Sequence, residues 1–149
     1  MIYQDDPRFN TTPIKRWGCF YLASLWYVAL LTKVPFSAEL IEDVLVDLQK
    51  RSNFVNDKPI VTSDCFVNTY DGLARYFGVK VLGPARHGTE EEIVLPAHQQ
   101  LLVYRSGDVI HATAGQHHNV VTYDPLRDLH KHSSWHLDSR RVFAWARRV

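Results

Sequence analysis

Trp17-Gly18-Cys19-Phe20-Tyr21-Leu22-Ala23-Ser24-Leu25-Trp26-Tyr27-Val28-Ala29-Leu30-Leu31 is the stretch that decides how this chain is read. From Cys19 onward it is almost wholly apolar, which predicts a helix buried on all sides. Gly18 marks its start, so Cys19 falls in the first turn. There the free N–H groups and the helix dipole favour negative charge, and with it the thiolate, the nucleophilic form of cysteine. A structural cysteine has no need of such a position; a nucleophile benefits from one.

Around this stretch the first part of the chain reads as helical. Lys33-Val34-Pro35 breaks the pattern. Ser37 then caps a second helix, with Glu39, Glu42 and Asp43 early, Lys50 and Arg51 late, and an apolar face of Leu40, Ile41, Val44, Leu45 and Leu48. A polar loop follows, from Ser52 to Pro59. A third helix is expected from about Asp64 or Asn68 to Phe77, ending at Gly78. The second part reads as strands: Val79 to Leu82, Gln99 to Tyr104, Asp108 to Ala114, Asn119 to Tyr123 and Arg140 to Ala146. Between Gly83 and Pro96 a loop is expected, with a short helical turn around Glu90 to Ile93. Gly107 and Gly115-Gln116-His117-His118 separate neighbouring strands as hairpin turns do. Helices first and antiparallel strands afterwards predict an α+β fold in one domain spanning residues 1–149.

A cysteine nucleophile needs a histidine within hydrogen-bond reach and a third group to hold the imidazole. Of the eight histidines, His111 is placed best. A hairpin symmetric about the Gln116–His117 bond sets His111 opposite Thr122 and leaves Asp124 one diagonal step away on the same face, about 7–8 Å at Cα. His117 and His118 sit in the turn; His118 is roughly 20 Å from Asp124 along an extended strand. A tetrahedral intermediate also needs oxyanion donors. The Cys19 N–H is one candidate, and the side-chain amide of Gln4 is a second.

Gln4, the Trp17-Gly18-Cys19 helix start, His111, and Asp124-Pro125 after the next strand together resemble the papain-like cysteine peptidase superfamily. The pattern is most similar to the bacteriocin-processing (double-glycine) peptidases and their relatives. Trp17-Gly18-Cys19-Phe20-Tyr21, Ser63-Asp64-Cys65-Phe66-Val67 and the His111 hairpin also resemble an uncharacterised family of spirochaete plasmids and bacteriophages. The first resemblance implies a papain-like fold with Cys19 as nucleophile, His111 as base, Asp124 as orienting acid and Gln4 as oxyanion donor. Trp17 and Gly18, which flank the nucleophile, are the expected substrate contacts. Peptidases of that group carry small residues after the nucleophile, whereas Phe20 and Tyr21 are bulky here and would narrow the cleft.

The expected activity is amide-bond hydrolysis on a peptide or on peptidoglycan, without a cofactor. The opposing reading is an inactive papain-like module kept for binding or assembly. A third assigns His130, His132 and His136, with His117 and His118, to a metal; they lack firm ligand spacing. Cys65 reads as structural. A net charge of +1 argues against nucleic-acid binding as the main role, the basic Arg140, Arg141, Arg147 and Arg148 being interleaved with apolar residues. The longest apolar run falls short of the about 20 residues that span a bilayer. No secretory signal is visible. The expected location is therefore the cytoplasm, or a virus particle if the chain is phage-encoded.

Overall fold

Gly18 alone separates α1 (Pro13–Trp17) from α2 (Cys19–Thr32). Its N–H donates to the Ile14 carbonyl at 2.9 Å. A Cβ at Gly18 would lie 2.4 Å from that same carbonyl oxygen, so only glycine fits between the two helices as they stand. α2 buries Tyr21, Leu22, Ala23, Leu25, Val28 and Ala29, as its nearly unbroken apolar sequence requires, and packs on the sheet. The structure, a computed structural model, describes residues 1–87, 99–116 and 119–148.

α3 (Ala38–Asp47) starts as the sequence predicts, with the Ser37 Oγ accepting the Leu40 N–H at 3.1 Å. Ile41, Val44 and Leu48 face inward, and the buried Tyr21 hydroxyl donates to the Ile41 carbonyl at 2.6 Å, tying α3 to α2. α4 (Tyr70–Tyr76) is shorter than expected. Residues 64–69 are irregular instead, because Val61 and Val67 form a bridge and Thr69 caps the helix, its Oγ1 accepting the Gly72 N–H at 3.0 Å. Gly78 leaves the helix at φ 78°, a left-handed conformation that suits glycine.

The strands are β1 (Val79–His87), β2 (Gln99–Ser106), β3 (Val109–Gln116), β4 (Val120–Tyr123) and β5 (His136–Arg148). They form one antiparallel sheet in the order β1-β5-β2-β3-β4. The protein is therefore α+β, with α2 packed on β3 and α4 beside β1. β2 and β3 pair from Ser106↔Val109 onward, so Gly107, at φ 58°, and Asp108 make the tight turn expected there. β1 and β5 both outrun their predicted lengths. Gly83-Pro84 reads as the start of a loop, but it lies where the β1–β5 register shifts between Leu82 and Ala85, a bulge that accommodates a proline. β5 begins at His136, ahead of the expected start at Arg140. The expected helical turn around Glu90 to Ile93 and the turn residues His117 and His118 lie outside the described residues.

The β3–β4 register differs from the symmetric hairpin. Ala114 pairs with Tyr123, and Gly115 with Val121, with an irregularity between them. His111 therefore does not oppose Thr122. Extending the Ala114–Tyr123 pairing sets Asp124 opposite Thr113, two residues along β3 from His111, so the diagonal relation is reached from the other side.

Candidate active site

His111 and Asp124 meet in the core. His111 Nε2 lies 2.6 Å from Asp124 Oδ1, and His111 is 2% exposed. An ionised carboxylate only accepts hydrogen bonds, so the imidazole donates through Nε2 and leaves Nδ1 for a second partner. Cys19 lies near enough to the His111 ring to favour its charged form. Burial of the ring disfavours its charged form, but the hydrogen bond to Asp124 and the nearby Cys19 outweigh it and push the His111 pKa up to about 9. Asp124 shows the same competition. Burial disfavours its charge, yet the bonds from His111, His130 and the Leu126 amide hold it below the usual aspartate value of 3.8.

Cys19 is half-buried at the first position of α2, with Gly18 before it. It lines a cleft of about 800 Å³ together with Trp17, Phe20, Cys65, Phe66, Val109 and Ile110. Arg16, Asp64, Asp108 and Arg141 add charge to the walls. Trp17 is 54% exposed, its ring 4.7 Å from the Arg16 guanidinium, and Phe66 is 64% exposed. Gly18, by contrast, is buried against Ile14 and positions Cys19 instead of facing a ligand. Phe20 forms part of the cleft wall, but Tyr21 points into the core and does not narrow the opening. Cys65 shares the cleft wall. Burial, reinforced by Asp64 and Cys19, pushes its thiol up to about 12. Both cysteines are free.

Gln4 is 3% exposed and held from both sides. Its backbone N–H donates to the Pro125 carbonyl at 2.7 Å, next to Asp124. Its side-chain Nε2 donates to the Lys15 carbonyl at 3.1 Å. Lys15 stands four residues before Cys19, so its carbonyl belongs to the turn that leads into Cys19. The amide nitrogen has one further N–H beyond the one given to Lys15. Its Oε1 is buried without a hydrogen-bond partner among the described residues. The first residues of the chain are fastened nearby: Tyr123 donates its hydroxyl to the Ile2 carbonyl at 2.8 Å, and Arg127 pairs with Asp5 at 3.3 Å.

Two contacts of the site are not legible in the sequence, where Trp135 reads only as a core or cleft aromatic. Trp135 sets its ring edge-on to His111, with centroids 6.0 Å apart, which shields the imidazole from water. His130, grouped with His132 and His136 as a metal candidate, instead places its Nδ1 2.6 Å from Asp124 Oδ2. It rides on a short 3₁₀ turn, Leu129–Lys131, that folds back under Asp124. The only signal for this was proximity in sequence to Asp124-Pro125. No group of three or more His, Cys, Asp or Glu among the described residues is arranged to hold a metal ion.

Fold and site together define an α+β protein with a cysteine at a helix start, beside a buried histidine–aspartate pair. The chain belongs to the DUF261 family, described as "Protein of unknown function, DUF261", whose profile matches residues 1–145. No curated protein and no solved structure matches it. No helix among the described residues is long and apolar enough to cross a membrane.

Proposed function

We propose that the protein is a cysteine-dependent amide hydrolase of papain-like fold, acting on peptides. The observation that carries this reading is His111, buried and bonded to Asp124 at 2.6 Å through one ring nitrogen, with Cys19 near the ring and lining an open cleft. Cys19 thiolate attacks the substrate carbonyl, and the Cys19 N–H and the Gln4 amide hold the oxyanion. His111 then protonates the leaving amine, and water, deprotonated by the same imidazole, releases the acyl group. Asp124 keeps the ring oriented and offsets its charge. These steps draw on side chains of this chain and water alone.

The cleft supports a substrate class. Trp17, Phe66, Val109 and Ile110 are all exposed and line it with apolar surface, among which Arg16, Asp64, Asp108 and Arg141 place charges. Such walls suit a polypeptide bearing a bulky apolar side chain beside the scissile bond better than a glycan strand. Short peptidoglycan stem peptides are the second substrate of choice. The alternative of an inactive binding module drew on a cleft obstructed by Phe20 and Tyr21, and Tyr21 lies in the core.

The test is a mass-spectrometric screen of a denatured-protein digest library and of purified peptidoglycan peptides, with native protein and Cys19→Ala. Cleavage products next to apolar residues, absent with Cys19→Ala, are expected. Products that persist in Cys19→Ala, or none from either substrate set, would contradict the proposal.

A further inference from the structure

We propose that His130 is a positioning residue for the reactive set: its ring Nδ1–H, donated to Asp124 Oδ2, fixes the carboxylate that in turn holds His111. The consequence at Cys19 rests on the hydrolase reading; the consequence at His111 does not.

Asp124 follows β4 directly, and its side chain is 2% exposed. A buried carboxylate is stable only when its oxygens are satisfied, and it has about four acceptor sites. Here each oxygen takes one backbone and one imidazole donor. Oδ1 accepts from the Leu126 N–H at 2.8 Å and from His111 Nε2 at 2.6 Å. Oδ2 accepts from the His130 N–H at 3.2 Å and from His130 Nδ1 at 2.6 Å. Without the His130 ring, the longer amide contact alone would hold Oδ2. The carboxylate torsion is broad and two-fold, so little would then keep Oδ1 in line with His111 Nε2.

The surroundings hold the His130 ring in place. Tyr104 of β2 stands against it, with ring centroids 5.5 Å apart. On its outer side lies a cavity of about 490 Å³ whose walls include Tyr3, Arg127, Asp128 and Lys131. Arg127 is paired with Asp5, and Lys131 with Asp128. His130 bonds Asp124, which in turn bonds His111, and this makes it a residue that positions others.

The test compares His130→Leu, which removes the donor, with His130→Asn, whose side-chain N–H₂ can take the place of Nδ1. The first readout is the His111 Nε2–H proton by NMR, slow to exchange while it is bonded to Asp124. The second is the iodoacetamide labelling rate of Cys19 at a fixed pH below neutrality, with melting temperatures measured so that all variants are compared folded. His130→Leu is expected to lose the His111 proton signal to exchange and to label Cys19 about tenfold more slowly, the scale of outer partners in ligand-orienting networks. His130→Asn is expected to keep the signal and stay near the native rate. A native His111 signal and native labelling in His130→Leu would overturn the proposal. So would loss of the signal in His130→Asn, which also decides the matter should His130→Leu fail to fold. If Cys19 of the native chain labels slowly whether or not His111 is present, the hydrolase reading fails, while the His111 signal still decides the role of His130.

Discussion

Asp124→Asn is expected to lower the stability of the protein by about 3–5 kcal/mol, the scale on which removing one partner leaves the rest of a buried charged network uncompensated. The substitution is nearly isosteric, so packing is not the cause. Four donors converge on the carboxylate: two imidazoles, and the backbone N–H groups of Leu126 and His130. An amide offers one oxygen and one N–H₂, so whichever way it turns, two donors face a donor. The His111 ring also loses the charge that sustains its protonated form. Urea denaturation checks this: the midpoint should fall with the slope unchanged. A loss below about 1 kcal/mol, the scale of an ordinary surface change, would mean that the carboxylate does not organise the site.

The same pair predicts a stability profile with two limbs. His111 has its folded pKa raised from 6.5 to about 9. Its contribution is therefore complete below 6.5 and is lost as pH rises through 9. Asp124 has its folded pKa lowered from 3.8, so its contribution is present above that value and disappears as the pH falls below it. Stability should be greatest between these limits. The decline between 6.5 and 9 is of the order of 2–3 kcal/mol, and each kcal/mol is worth roughly 2–4 °C in Tm for a chain of this size. Above 9 the buried Cys65 thiol, pushed up to about 12, adds a further decline, so the range below 9 is the one that reports His111. His111→Ala should flatten the profile between 6.5 and 9. Melting curves across the pH range measure it, and an unchanged slope in that variant would assign the titration to another group.

Much of this architecture was readable before any coordinates. α2 announced itself because fourteen residues from Cys19 to Thr32 contain almost nothing that could face water. Ser37 marked the start of α3 by its capping chemistry, and Gly107 marked the β2–β3 turn. His111 and Asp124 were paired on the correct principle, a shared sheet face, but through the wrong register. The irregularity between Ala114 and Gly115 shifts the strand, and nothing in a two-residue alternation reports a bulge. Gly83-Pro84 looked like a strand end for the same reason. The position of β5 between β1 and β2 depends on pairing far along the chain, which local pattern does not carry. His130 was hidden by composition: near His132 and His136 it reads as a ligand cluster, and only the turn after Asp124-Pro125 swings its ring back onto the carboxylate.

The central claim is that Cys19 and His111 act as one reactive pair, and Cys65 in the same cleft provides an internal control. The most direct measurement is the pH dependence of iodoacetamide alkylation, read separately at Cys19 and Cys65 by mass spectrometry, in the native chain and in His111→Ala. Rapid labelling of Cys19 below neutral pH, with Cys65 silent and the Cys19 rate at low pH falling sharply in His111→Ala, is the predicted result. Slow labelling of Cys19 with an ordinary thiol profile, indifferent to His111, would contradict the account.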